Sequence, residues 1–271
     1  MSLRVSTSNE KKSTWNGAAF RARLQRDEYD AVVDLQGLAK SALVARLARG
    51  LRFGLANQTE GSSYEAPARW LVDRPITIEP HIHAMDRSRA LMAAVLGRPA
   101  EGPPVYGLKP SKRVFRTAQP TVALVHGTSR DDKLWPVEHW IALGKRLIGA
   151  GWRIALPQGS ETELMRAELI AAGLQYEKAF HVDVWPGLAL DAVLDRLALT
   201  QGVIGVDSGL SHIAVALDLP HVQLYNHPTA WRTGPQAAHG HLHQVALEGR
   251  PVPSLEAVWT AWNNVVRAAH S

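Results

Sequence analysis

The stretch that decides the fold reads Gly202-Val-Ile-Gly-Val-Asp-Ser-Gly-Leu-Ser-His-Ile-Ala-Val-Ala-Leu217. Its first five residues are small or β-branched, which is typical of a strand buried on both faces of a parallel sheet. The strand ends at Asp207, and the next four residues turn the chain into a short helix. We therefore expect backbone N–H groups and the positive end of a helix dipole to gather where the strand stops.

A corner of this kind is able to bind an anion. Gly209 lets a phosphate approach the backbone, and the hydroxyls of Ser208 and Ser211 either cap the helix or donate to phosphate oxygens. An ordinary strand–turn–helix corner, in which Asp207 and Ser211 serve only as turn and cap residues, explains the same sequence. The stretch by itself leaves both interpretations open.

The composition indicates a globular protein with two moderate domains. The 271 residues exceed the usual size of a single domain, and 46% of them are hydrophobic while 20% are charged. There is no apolar run of membrane-spanning length, no signal-peptide core at the N-terminus and no cysteine, so we expect a cytoplasmic protein. The net charge of +5 favours anionic ligands or an anionic membrane face, and without a nucleic-acid motif we expect no nucleic-acid partner.

Strand and helix patterns alternate along the chain. The N-terminal half shows helices at 16–25, 38–48 (ended by Gly50) and 81–96, and a strand at 30–35. The C-terminal half shows strands at 121–126, 152–156, 179–182, 202–206 and 221–225, and helices at 136–149, 161–171, 188–199 and after 253. This series predicts an α/β fold with parallel sheets covered on both faces. We expect an N-terminal domain with its linker at 1–112, a C-terminal domain at 113–250 and a terminal helix at 251–271.

A second loop precedes the helix that begins near Pro136. It contains Thr128, Ser129 and Lys133 and lies at the same carboxyl edge of the sheet as the corner at Asp207. Two loops then converge on one anion, with Lys133 as a point charge and the hydroxyls as hydrogen-bond donors. The run Arg130-Asp-Asp-Lys133 is also compatible with a self-neutralising surface turn.

The N-terminal half carries a basic helix start. His83 and Arg87 are four residues apart and share a helix face, and Lys40 lies in the first turn of an earlier helix. An acidic sugar or a phosphate fits such a face. Solvated basic side chains, with Asp86 paired to a neighbouring arginine, explain the pattern equally well.

Metal binding has little support in the sequence. No two aspartates are separated by a single residue, so the sequence contains no metal-binding Asp-x-Asp pattern. The run His239-Gly-His-Leu-His243 is able to place three imidazoles on one side of a strand, but no carboxylate or cysteine accompanies it. We expect exposed histidines there and no metal site.

Four separated motifs together resemble one family. Thr128-Ser-Arg-Asp-Asp-Lys-x-Trp-Pro136 and Val206-Asp-Ser-Gly-Leu-Ser-His212 resemble the donor-binding half of the bacterial lipopolysaccharide heptosyltransferases, glycosyltransferase family 9. Tyr29-Asp-Ala-Val-Val-Asp-Leu-Gln-Gly-Leu-x-Lys-Ser41 and His83-Ala-Met-Asp-Arg87 resemble their N-terminal domain. The motifs occur in the family's order and cover the chain from about residue 15 to its end. The resemblance implies a GT-B architecture of two Rossmann-like domains, with the N-terminal one incomplete.

The resemblance also implies a reaction. Heptose passes from ADP-heptose to a Kdo sugar of lipid A-Kdo, with inversion, at the cytoplasmic face of the inner membrane, and no cofactor is needed beyond the donor. The donor-binding residues it implies are Thr128, Ser129, Lys133, Asp183 (for the ribose), Asp207, Ser208, Gly209 and His212. Because the acceptor is polyanionic, Lys40, His83 and Arg87 are assigned to the acceptor side.

One family feature is missing from the sequence. The family opens with a strand and a Ser-x-Gly-Asp loop whose aspartate is its general base, whereas this sequence contains no Gly-Asp pair. We therefore expect that the first strands are absent and that the chain as written transfers little or no heptose. Asp34 is expected to make structural hydrogen bonds rather than to act as the base. A donor-binding remnant, or another GT-B enzyme such as a sugar-nucleotide epimerase or a protein glycosyltransferase, remains an alternative.

Overall fold

The computed structural model describes residues 17–110, 120–174, 181–236 and 243–271. The chain divides into two compact units, Met1–Ala100 and Glu101–Ser271. The domain boundary expected at residue 112 falls outside the described ranges and stays a prediction. Within those ranges, none of the helices combines the length and apolarity needed to cross a bilayer.

The first unit contains a three-stranded parallel sheet in the order β1-β2-β3. Its elements are α1 (Gly17–Gln25), β1 (Glu28–Asp34), α2 (Ala39–Leu47), β2 (Arg49–Leu55), a 3-10 helix (Ala66–Trp70), β3 (Arg74–Ile76) and α3 (Ala84–Leu96). Leu55 of β2 and Leu91 of α3 belong to a small core with Ile78. The helices and the first strand agree with the sequence prediction to within three residues.

Gly50 does not end α2, contrary to the prediction. It lies in β2 and pairs with Tyr29 of β1. Its φ is +141°, and a Cβ there would approach Tyr29 O to 2.3 Å, so glycine is required by a close strand contact. The α2 helix ends instead at Leu47, where Ala48 takes an extended conformation.

The second unit is built on a six-stranded parallel sheet in the order β6-β5-β4-β7-β8-β9. Its strands are β4 (Thr121–Val125), β5 (Arg153–Leu156), β6 (Val182–Val184), β7 (Gly202–Val206), β8 (His221–Tyr225) and β9 (Gln244–Glu248). Its helices are α4 (Val137–Gly149), α5 (Glu161–Leu174), α6 (Leu190–Leu199), α7 (Gly209–Ala216), α8 (Ala230–Thr233) and α9 (Leu255–His270), with a 3-10 helix at Asp131–Lys133. The predicted parallel α/β class is confirmed.

The sheet is packed on both faces, as the apolar strands require. On one face, Val122 and Leu124 of β4 join a core that contains Trp135, Trp140 and Trp262. On the other face, the alternate β4 residues join α6 and α7 side chains. Every residue of β7 and β8 is buried, and both strands have the bounds that the sequence predicts.

The edge strand β9 and the four-residue helix α8 are among the elements that were not predicted. The β9 residues are only half-buried, so they lack the continuous apolar run of β7. The run Ser160-Glu-Thr-Glu163 at the start of α5 has the spacing that predicts a capping box, and this box is formed in part. Ser160 Oγ accepts a hydrogen bond from Glu163 N, but the Glu163 carboxylate accepts from Gly159 N rather than from Ser160 N.

Candidate functional site

A cleft of about 720 Å³ lies at the carboxyl edge of the six-stranded sheet. Its walls come from the segments that follow four neighbouring strands, β5, β4, β7 and β8, and from the start of α6. The strand order reverses between β4 and β7, which is where open α/β sheets bind their ligands. The polar residues of its lining include Thr128, Ser129, Lys133, Glu163, Asp207, Ser208, Gly209, His212 and Arg232.

Ser208 and Gly209 of the β7–α7 corner line the cleft. Ser208 is the N-cap residue of α7, but its side chain does not cap the helix. Its Oγ is buried and has no hydrogen-bond partner among the described residues. A Cβ placed on Gly209 would meet nothing within 4 Å. The first turn of α7 is therefore open to a ligand, and Ser208 Oγ is a buried polar atom that a ligand would satisfy.

Ser211 does not belong to this surface. Its side chain is fully buried, and its Oγ donates to Val206 O at 2.6 Å. Both interpretations made from the sequence, a cap and a phosphate donor, are wrong for this hydroxyl. It ties the start of α7 back to the end of β7 and so fixes the turn.

The β4 loop and the β7–α7 corner meet at Asp207. Lys133 Nζ lies 2.6 Å from Asp207 Oδ2, and Thr128 Oγ1 donates to Asp207 O at 3.1 Å. Two loops that are more than 70 residues apart in sequence are thus joined by an ion pair and a hydrogen bond. The expected convergence is present, and the binding role of these residues stays a prediction.

Hydrogen bonds from the segment after β8, two strands away from β4 in the sheet, fix the β4 loop in position. Asn226, directly after β8, donates to Asp132 O at 3.0 Å and to Leu134 O at 2.9 Å. Arg130 and Asp132 form a two-pronged ion pair, as a self-neutralising turn would. Lys133 is not part of that neutralisation, because its ammonium reaches across to Asp207.

Asp207 is a largely buried carboxylate surrounded by donors. Besides Lys133, its Oδ1 lies 3.4 Å from Gln223 Nε2 and 3.6 Å from His212 Nε2. Burial, and then the negative charge of Asp207, raise the pKa of Tyr225 well above its ordinary value. Tyr225 therefore stays protonated at neutral pH, and its hydroxyl lies 3.3 Å from Thr233 Oγ1.

Comparison with known proteins identifies the family. The model of glycosyltransferase family 9 (heptosyltransferase) matches residues 18–253. The chain belongs to glycosyltransferase family 9. The resemblance carried by the four sequence motifs is confirmed.

Lipopolysaccharide heptosyltransferases of other bacteria are similar to much of this chain. Lipopolysaccharide heptosyltransferase 1 of Escherichia coli K12 is 41% identical over 213 residues, which are 76% of this chain and 64% of that protein. The Pseudomonas aeruginosa enzyme of the same name is 34% identical over 79% of this chain and 59% of its own length. The chain thus spans less than two thirds of these relatives.

A solved family 9 structure shares the fold. The structure of E. coli heptosyltransferase WaaC with ADP superimposes with a TM-score of 0.74 and 31% sequence identity, and covers 92% of this chain and 76% of that one. This likeness confirms the α/β fold of GT-B type that the motifs implied.

Glu163 lines the cleft beside Asp207, whereas Asp183, which the resemblance assigned to the ribose, is not among the lining residues, and its binding role stays a prediction. Asp183 is exposed on β6, 3.9 Å from Arg196 Nη1, and is outside the cleft lining. Glu163 lies in the first turn of α5, lines the cleft, and its Oε2 accepts from Gly159 N at 2.7 Å. In the sequence, the spacing Ser160-x-x-Glu163 favours only a local capping role for this carboxylate. The signal that identifies it is its place directly after β5, at the ligand-binding edge.

The residues assigned to the acceptor lie in the first unit. His83 is the N-cap residue of α3, with its Nδ1 accepting from Met85 N at 3.2 Å, and Arg87 N donates to His83 O. The two are therefore on successive turns, as expected. Lys40 is exposed at the start of α2. Asp86 lies 3.8 Å from Arg89, the ion pair that the alternative interpretation expected.

Asp34 has the structural role expected of it. It is buried at the end of β1, and its Oδ1 accepts from Gln36 N at 2.9 Å and Gly37 N at 3.4 Å. Within the described ranges, no three His, Cys, Asp or Glu side chains are grouped to hold a metal ion. Two histidines of the suggested zinc run, His239 and His241, lie outside those ranges.

Proposed function

We propose that the cleft binds the ADP part of ADP-heptose and that the protein takes part in heptose transfer to a Kdo sugar of the lipopolysaccharide inner core. The observation that carries the proposal is the meeting of Lys133 with the open first turn of α7 in one cleft. A cation and a helix N-terminus together suit a diphosphate. Membership of family 9, and the ADP present in the similar WaaC structure, support this choice of nucleotide.

We place ADP in the cleft with its diphosphate at Lys133 and its nucleoside towards Glu163 and α6. A Lys ammonium has three N–H donors, so Lys133 bonded to Asp207 keeps two for phosphate oxygens. Ser208 Oγ and the backbone of Gly209 complete the diphosphate contacts. Glu163 then accepts from ribose hydroxyls. The apolar side chains of Leu188, Leu190 and Val193 line the cleft for the adenine.

Asp207 serves the site in two ways. One oxygen holds Lys133, and the other is directed to hydroxyls of the heptose, because a carboxylate next to a diphosphate is repelled. In the transfer, an acceptor hydroxyl oxygen attacks the anomeric carbon, and its proton passes to a general base. The bond from that carbon to the β-phosphate oxygen breaks, and its electron pair leaves with ADP. Lys133 and the α7 N-terminus stabilise the charge that develops there.

The acceptor side of the proposal rests on charge. Lys40, His83 and Arg87 contact the anionic Kdo and lipid A groups, and the net charge of +5 favours peripheral binding at the cytoplasmic face of the inner membrane. The acceptor contacts are measured in a full-length family 9 enzyme that carries these residues. There, Arg87→Ala is expected to raise the KM for the acceptor more than the KM for ADP-heptose.

The donor site is tested with a substitution that places a side chain in the phosphate-binding space and leaves the fold intact. Gly209→Val adds a side chain where the protein has open space, so the fold tolerates it while the phosphate approach is blocked. Gly149→Val is the matched control, because it is equally open and lies at the end of α4. Calorimetry is expected to show ADP binding to the wild type and the control, and roughly tenfold or weaker binding to Gly209→Val. Equal ADP affinity in the two variants contradicts the site, and absence of ADP binding to the wild type contradicts the function.

A further inference from the structure

Arg232 is a second cation in the cleft, and no sequence motif pointed to it. It lies in α8, which directly follows the β8 segment, and its side chain lines the cleft together with Thr233. Lys133, the other cation of the lining outside the histidines, is already bonded to Asp207 at 2.6 Å. Within the described part of the chain, no carboxylate neutralises the Arg232 guanidinium. The cleft thus keeps one cation available for an anionic ligand.

The position of Arg232 is fixed by its surroundings. Glu248 of β9 accepts from Ala230 N at 2.9 Å and so holds the N-terminus of α8. Tyr225 of β8 lies 3.3 Å from Thr233 Oγ1. A short helix anchored at both ends presents its arginine in a defined direction, which reduces the entropy lost when the guanidinium binds.

The strand order of the sheet indicates which part of a bound ligand lies nearest to Arg232. Glu163 follows β5 and Arg232 follows β8, and β4 and β7 lie between them. Neighbouring strands are about 4.8 Å apart, so these two ends of the cleft are separated by roughly 14 Å. A nucleoside diphosphate with its ribose at Glu163 extends past Lys133 towards β8. Its distal phosphate is then the anionic group nearest to Arg232.

We propose that Arg232 binds the distal phosphate of the nucleoside diphosphate and so distinguishes a diphosphate from a monophosphate. The inference rests on the proposed function, because it takes the nucleotide to lie along the cleft. A guanidinium fork suits this task, since it donates two parallel hydrogen bonds to phosphate oxygens. Lys133 and the α7 N-terminus are shared by both phosphates, whereas Arg232 is reached only by the second.

The test compares ADP with AMP on three variants by calorimetry. Arg232→Gln is expected to weaken ADP binding about tenfold to 100-fold and to leave AMP binding within about twofold. Arg232→Lys is expected to recover part of the ADP affinity, because it restores the charge without the fork. Arg267→Gln, an exposed arginine of α9, is the matched control and is expected to bind both nucleotides as the wild type does.

Each outcome decides the inference. Unchanged ADP affinity in Arg232→Gln overturns it, and so does an equal loss for ADP and AMP, which would place Arg232 at the nucleoside or in the fold. Either result leaves the proposed function standing, provided that the wild type binds ADP. If the wild type binds neither nucleotide, the proposed function is wrong and this inference falls with it.

Discussion

Lys133→Ala is the substitution that most directly perturbs the proposed diphosphate site. It removes a cation that lies 2.6 Å from Asp207 and lines the cleft. A hydrogen bond to a charged group contributes about 1.5–3 kcal/mol, so ADP affinity is expected to fall roughly tenfold to 150-fold. The free energy of unfolding is expected to fall by about 1–3 kcal/mol, because the buried Asp207 carboxylate loses its cation while other donors remain near it. The lysine side chain is 29% exposed, and Asp207 keeps Gln223 and His212 within 3.6 Å.

Calorimetry with ADP measures the first effect and urea unfolding the second. Lys145→Ala, an exposed lysine of α4, controls for the loss of one positive charge from the same unit. A double-mutant cycle of Lys133→Ala and Asp207→Asn, measured by unfolding, gives the energy of the ion pair separately from the ligand contact. Two groups in contact have non-additive effects on the free energy of unfolding. If folded Lys133→Ala binds ADP as tightly as Lys145→Ala does, Lys133 is not a phosphate ligand and the reasoning from charge is refuted.

Three further substitutions test the site and the fold. Burial lowers the pKa of His221 to about 3, so its unfolded form binds a proton below pH 6.5 while the folded form does not; the contribution of His221 to stability is therefore complete above pH 6.5 and is expected to fall by about 2 kcal/mol at pH 5. Urea unfolding at pH 7 and 5 should show a smaller fall in His221→Leu, and an equal fall would assign the proton uptake elsewhere. Glu163→Gln is expected to weaken binding of ADP by about 1 kcal/mol and to leave binding of 2′,3′-dideoxy-ADP unchanged, since only the ribose hydroxyls are lost; equal losses for both nucleotides would exclude a ribose contact. Gly205→Ala places a Cβ 2.5 Å from Ser211 Oγ and 2.8 Å from Val125 Cβ, so we expect about 1–3 kcal/mol of destabilisation in thermal unfolding, reduced but not removed in a double variant with Ser211→Ala; a Tm equal to that of the wild type would show that the corner yields easily.

The sequence predicts an element well when its hydrophobic pattern matches its burial in the folded protein. The β7 and β8 strands are buried along their whole length, so an apolar run marks their bounds directly. The convergence of the loops after β4 and β7 was also predictable, because parallel strands end at the same edge of their sheet. Identifying the two strands was sufficient to predict that the loops after them meet.

The features that were missed depend on contacts between distant segments. Glu163 has a local explanation as a capping residue, which hides its place in the cleft. Asp183 was chosen by resemblance, but it lies on β6 near the edge of the sheet, beyond the strands that form the cleft. The Lys133–Asp207 pair joins residues 74 positions apart, and side-chain direction at that distance is set by the folded sheet alone.

The order of the strands determines when during folding the cleft comes into existence. β4 supplies one loop of the site early in the second unit, and the chain then adds β5 and β6 on one side before β7 returns to pair with β4. A nascent chain that has emerged only as far as β6 therefore carries Lys133 without Asp207. At the proposed site, nucleotide at concentrations well above its Kd would stabilise only chains that have completed the β4–β7 pairing, by RT ln(1 + [L]/Kd). The nucleotide would thus act as a selective stabiliser of finished molecules and protect them from proteolysis more than partly folded ones.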